Sequence, residues 1–186
     1  MSSVELVLYP DPRLRDPAKA VTKIEPGLRG LCAEMFRVMY AARGIGLAGP
    51  QVGVGLRILV ANLTGDPART EEERVFLNPE IRSKSGELLE EEGCLSLPGI
   101  VAPVQRAERV EVRATGLDEA PLEVTAEGLY ARLFQHEIDH LDGILLIDKI
   151  SAADRRQWEP VLAELEKDFK LKRPRTRRRE SRAAAL

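Results

Sequence analysis

The stretch Gln135-His136-Glu137-Ile138-Asp139-His140-Leu141-Asp142-Gly143 decides how the rest of the chain is read. Positions four apart on an α-helix lie roughly 40° apart around its axis, so His136 and His140 share a face and can grip one metal ion. Glu137 stands beside them, where a carboxylate can handle the protons of a water activated by that ion. The protein has only two histidines, and both are here. A third protein ligand, which catalytic metal sites ordinarily use, must therefore be another residue type. A histidine pair can also be plain packing on a helix face, so the pattern is weighed against the remainder of the chain.

The 186 residues suffice for one domain with a substantial core and are too few for two comfortable ones. The hydrophobic fraction of 44%, the charged fraction of 31% and the formal net charge of −2 are those of an ordinary globular protein. Neither a nucleic-acid nor a membrane role follows from such a balance. Met1-Ser2-Ser3-Val4-Glu5 has no basic and apolar targeting pattern, and no apolar run approaches membrane-spanning length. A cytosolic protein with no membrane partner is expected. We expect a catalytic domain over residues 1–171 and a basic, disordered tail over 172–186, where seven basic residues and one acidic residue fall between Lys172 and Arg182.

Working outward from the histidines, Thr125 suggests an N-cap for their helix, and Gly143 suits its C′ position. Ser151 can cap a last helix through about Leu171, with Pro160 as a break or a new start. Upstream, Val101 to Thr115 and Leu122-Glu123-Val124 alternate as half-buried antiparallel strands do, with a hairpin connection at Gly116–Ala120. Val4–Tyr9, Leu56–Ala61 and Val75–Leu77 also read as strands. From Leu28 to about Ala42, Leu31, Cys32, Met35, Val38 and Met39 recur at helical spacing, which makes Cys32 a core cysteine.

Gly44-Ile45-Gly46-Leu47-Ala48-Gly49-Pro50-Gln51 contains the glycine spacing of a dinucleotide-binding turn, but in the wrong order. That turn follows a strand and opens a helix, whereas here a helix precedes it and a strand follows. The stretch is instead a loop stripped of side chains, ending at the amide of Gln51. Cys94, in Glu92-Gly93-Cys94-Leu95-Ser96, lacks the helical apolar setting of Cys32. The acidic run before it, Glu90-Glu91-Glu92, can be a solvated strand edge.

For the third ligand, Leu146 occupies the position at which a metzincin would carry its third histidine, which excludes that class. A thermolysin-like site would recruit a glutamate about twenty residues on; Glu159 is available and defines the alternative, an H-E-x-x-H endopeptidase. Cys94 is the stronger choice, because a thiolate is a good ligand for late transition metals.

Three patterns, the glycine loop ending in Gln51, Glu92-Gly93-Cys94-Leu95-Ser96 and Gln135-His136-Glu137-x-Asp139-His140, together resemble the peptide deformylases. The resemblance covers about residues 4 to 165 and includes Pro10-Asp11-Pro12-x-Leu14-Arg15. It implies an α+β fold, with antiparallel β-sheets packed around a central helix carrying the H-E-x-x-H motif and a C-terminal helix. It implies removal of the formyl group from the initiating methionine of nascent chains, with release of formate. Cys94, His136 and His140 would hold one divalent ion, Fe2+ in the cell, with Zn2+, Ni2+ or Co2+ able to replace it. Glu137 would be the general base and acid, and the Gln51 amide and Leu95 N–H would bind the formyl oxygen.

By the same resemblance Ile45, Gly46, Leu129, Arg132 and Leu133 would contact substrate, and we expect Arg132 and Glu90 to pair at the rim of the methionine pocket. Gly49 stands where relatives carry alanine or serine, a change expected to leave Gln51 in place. The substrates implied are N-formylmethionyl nascent peptides, the setting the bacterial cytoplasm and the protein a monomer; the basic tail suggests transient ribosome contact.

Overall fold

The computed structural model describes residues 4–172. The expected basic tail lies outside these residues apart from Lys172. The chain enters in extended form but makes no strand over Val4–Tyr9, contrary to expectation. Val7 N–H donates to the Gln51 carbonyl at 2.7 Å and Tyr9 N–H to the Ser96 carbonyl at 2.9 Å. Two bonds to two different segments make a strap rather than a ladder, because a strand needs successive partners on one neighbour. A short 3-10 turn, Pro12–Arg15, follows and buries Leu14.

Helix α1, Pro26–Ala41, begins with a proline whose fixed φ suits the first turn, and buries Leu28, Cys32, Met35, Phe36, Val38 and Met39 along one stripe. The glycine-rich stretch is more regular than a loop. Strand β1, Gly46–Ala48, is followed by a 3-10 turn, Gly49–Val52, and then by β2, Ile58–Ala61. The remaining strands are β3, Arg74–Ser85, β4, Leu88–Gly93, β5, Val101–Arg106, β6, Arg109–Thr115, and β7, Pro121–Glu127. Helix α2, Gly128–Leu141, carries the histidines, and α3, Ala152–Lys172, closes the described chain.

The α+β architecture holds as expected: a five-stranded antiparallel sheet in the order β1-β2-β3-β6-β7 and a separate β4-β5 ladder. The alternation between Val101 and Thr115 divides between them. Ala102, Val104 and Arg106 point inward from β5, and Val110, Val112 and Ala114 from β6. Helix α2 is buried almost all round, as a helix at the centre of a fold must be. Its Phe134 meets Phe76 of β3 edge to face, with ring centroids 4.9 Å apart. A second cluster joins α1 to β2, and a third lies under the Cys94 turn, where Leu97, Ile100, Leu145 and Leu162 meet.

Two boundary expectations fail for local reasons. Thr125 does not cap α2; it stays in β7, opposite Glu111, because the β6-β7 ladder continues to Arg109↔Glu127. The turn into the helix falls on Gly128, whose φ of +55° is open to glycine at little steric cost. Pro160 does not interrupt α3. It is exposed, as is Arg156 one turn earlier, so water can satisfy the carbonyl that the missing N–H leaves free. The other two caps are as expected. Gly143 takes a φ of +75° after α2, and Ser151 Oγ accepts the Asp154 N–H at 3.1 Å.

Candidate metal centre

The site is assembled from two sides. Helix α2 supplies His136 and His140 one turn apart, with ring centroids separated by 4.9 Å. Cys94 comes from the turn that follows β4. That turn is pinned at its ends by the Gly93↔Val101 pair and inside by Leu97 N–H donating to the Cys94 carbonyl at 3.0 Å. Its Sγ lies 3.2 Å from His140 Nε2.

One ligand atom from each of Cys94, His136 and His140 lies within 4.8 Å of the others, and all three residues are buried. Donors around a tetrahedral ion with metal–ligand bonds of about 2.0–2.3 Å sit roughly 3.3–3.8 Å apart, so modest adjustment closes this set on one ion. One sulfur and two imidazoles also suit zinc, iron, cobalt and nickel in kind. The residues therefore fit a divalent metal. Glu159, the alternative third ligand, is exposed on α3 and does not belong to the group.

Behind the histidines lies a buried charge cluster that the motif does not announce. Glu92 Oε1 accepts from His136 Nδ1 at 2.6 Å and from Arg106 Nη2 at 2.7 Å. Its Oε2 accepts from Arg132 Nη1 at 2.9 Å and Arg106 Nε at 3.1 Å. Burial by itself would raise the Glu92 carboxyl, but the bonds from His136 and Arg106 outweigh it and hold it well below the usual carboxylate range. With Nδ1 engaged, His136 has Nε2 left as its ligand atom. Arg106 also pairs with Asp139, which lies 3.3 Å from Lys149 Nζ, so the cluster reaches the surface.

Glu137 is buried, and its Oε2 makes no hydrogen bond within the described protein. Burial first, and the Glu92 charge second, push this carboxyl up to about 7 against the opposing pull of His136 and Arg106. Gly46 allows the approach: a Cβ there would stand 3.0 Å from Glu137 Oε1 and 3.1 Å from Leu133 Cγ. Gln51 is oriented by its own loop, with Oε1 accepting the Ala48 N–H at 2.8 Å, which leaves Nε2 on the side of Cys94 at 4.0 Å from Sγ.

A cavity of about 620 Å³ opens beside these groups. Cys94, His136 and Glu137 line it, as do Ile45, Gly46, Leu95, Leu129, Arg132 and Leu133 among the residues expected to contact substrate. Two finer expectations gain detail from the packing. Arg132 does pair with Glu90, whose half-exposed carboxylate is 3.7 Å from Nε, but this is the longer of its two ion pairs. Arg132 is buried, and holds Glu92, the Val104 carbonyl at 3.0 Å and the Leu88 carbonyl at 2.9 Å. Beside Gly49, Gln51 is held by the Ala48 N–H, and the space around Gly49 is tight. A Cβ would fall 2.5 Å from the Leu56 carbonyl oxygen and 2.8 Å from that of Val54, so a side chain here would require the neighbouring backbone to shift.

Glu92, Arg106 and Asp139 escaped the sequence reading, although one signal was present. Arg106 shares the inward parity of Ala102 and Val104, and a guanidinium at a core position needs a buried carboxylate. Glu92, on the neighbouring strand, meets that need.

The polypeptide deformylase family model matches residues 3–156. A peptide deformylase of Acidobacterium capsulatum is 51% identical over 150 residues, which span 81% of this chain and 88% of that relative. Among solved structures, a peptide deformylase of Legionella pneumophila is 43% identical with a TM-score of 0.82, over 93% of this chain and 100% of its own. One of Plasmodium falciparum is 39% identical with a TM-score of 0.88, over 91% and 99%.

Proposed function

This chain belongs to the polypeptide deformylase family, and from that premise and the site geometry we propose how its residues act. The protein is a metal-dependent hydrolase that removes the N-formyl group from nascent polypeptides. In our reading Cys94, His136 and His140 hold the ion, which when bound supplies Lewis acidity to the formyl carbonyl and to the attacking water. Fe2+ is the proposed metal in the cell, with zinc, nickel and cobalt equally compatible with the donor set.

Glu137 takes the proton of the attacking water and passes it to the departing amine nitrogen. Its free Oε2 and its position against Gly46 support this role. Negative charge grows on the former formyl oxygen, where Gln51 Nε2 and the Leu95 N–H donate; Gln51 is suited to it because Ala48 has already fixed its rotation. The initiator methionine side chain occupies the cavity between Ile45, Leu129 and Leu133. We place the enzyme in the bacterial cytoplasm as a monomer, with the basic segment beyond Leu171 favouring transient ribosome contact, and residues 1–171 as its catalytic domain.

The observation that carries this assignment is that Cys94, from the turn after β4, meets His136 and His140 of α2 in one buried group, of which Cys94 and His136 line the same cavity as Glu137. Anaerobically purified protein should release formate from a formyl-methionyl peptide and contain about one metal ion per chain. A Glu137→Gln variant should keep the metal and lose roughly 10²–10⁴ in rate. Metal loss in that variant, or turnover close to wild type, would refute the role given to Glu137.

A further inference from the structure

Arg132 sits one helical turn before His136, lines the cavity, and is 4% exposed. It is not needed to neutralise Glu92, since Arg106 already makes a two-bond contact with that carboxylate. Yet Arg132 adds a third guanidinium bond to the Glu92 carboxylate, at Oε2, and is itself anchored by donating to two carbonyls of the β4-β5 ladder, Val104 and Leu88. The Glu92 carboxylate is thereby gripped from both flanks, by β5 through Arg106 and by α2 through Arg132. Its other oxygen holds His136 Nδ1. Rotation of the carboxylate is blocked, and rotation of the His136 ring with it.

Resting on the reading of His136 as a metal ligand, we propose that Arg132 is a positioning residue. It orients His136 through Glu92, and because the same side chain forms part of the cavity wall it joins the methionine subsite to the metal centre. A residue that only filled the wall would alter KM. One that acts through Glu92 alters how firmly the ion is held and so lowers kcat as well.

The test is the rate at which a colour-forming chelator strips metal from the loaded protein, followed alongside kcat and KM for a formyl-methionyl peptide. Arg132→Met keeps most of the volume and removes the donors; it should release metal roughly 10–100-fold faster than wild type. Arg132→Lys, which keeps a charge but not the three-way geometry, should lie between them, and it provides the measurement if the methionine variant fails to fold. In a Glu92→Gln background the Arg132 substitutions should change release by less than about twofold, since the intermediary is already lost. Wild-type release rates in the single variants would overturn the proposal. So would effects that multiply fully in the Glu92→Gln background, which would mean that Arg132 reaches the metal by another route. Absence of formate release from the loaded wild type is a different failure, and counts against the deformylase chemistry rather than against Arg132.

Discussion

Cys32 and Cys94 are both free and both buried, and only one of them has chemistry around it. Cys32 lies on the inward stripe of α1 among Leu28, Met35 and Phe36, and burial pushes its thiol up to about 11. Cys94 lies in a turn whose backbone is pinned at both ends, 3.2 Å from His140 Nε2 and 4.0 Å from Gln51 Nε2. Burial therefore does not separate a core thiol from a metal ligand. The separation comes from what the backbone places around the sulfur: a helix stripe surrounds it with alkyl groups, whereas a turn facing another element's histidines surrounds it with nitrogen.

The largest effect should come from exchanging each cysteine in turn. Cys94→Ala should abolish metal retention and formate release, while Cys32→Ala should leave both unchanged and cost only packing energy of about 1–2 kcal/mol. Intact metal and turnover in the Cys94 variant would erase the contrast. Next, Gln51→Ala removes the amide that faces the Cys94 sulfur and should cost roughly 10²–10³ in kcat, the size of one lost oxyanion donor. A rate within about twofold of wild type would show that the Gln51 side of the centre is structural only.

Gly49→Ala tests the loop that carries that amide. The added methyl meets two backbone carbonyls, so we expect about 1–3 kcal/mol of destabilisation and a lower melting temperature. An unchanged melting temperature would mean that the turn yields without cost. The smallest effect concerns the core thiol. An unfolded cysteine titrates near about 8.5, whereas folded Cys32 titrates at about 11, so its contribution to stability is complete below the lower value and fades as pH rises through the interval. Urea melts at about pH 8 and about pH 10.5 should therefore show a smaller loss in Cys32→Ala than in wild type. Equal losses would assign the alkaline sensitivity to other groups.

Much of the site was legible because its residues come with local patterns. The i, i+4 histidines with Glu137 need only helical geometry, and the shortage of histidines directed attention to Cys94. Leu129 and Leu133 were named through the family resemblance, and both line the cavity. Glu90 was legible as a partner of Arg132, but Glu92, on the same face of β4, was not: which of the two lies deep enough to meet Arg132, Arg106 and His136 together depends on where α2 crosses the strand. Thr125 and Pro160 were misread because ladder bonds and solvent access outweighed cap and breaker preferences.

By itself, then, the sequence determined the family, the α+β class, the ligand types and the buried stripe of α1, all of which depend on residue identity and short periodicities. Only the tertiary structure decided that Glu92 stands between two guanidiniums and His136, that the Val7–Tyr9 strap ties the Gln51 turn to the Ser96 turn, and that Gly49 has no room for a methyl. Those are contacts between segments far apart in the chain. Their energies depend on distance and on the exclusion of water, and neither quantity exists until the segments have packed.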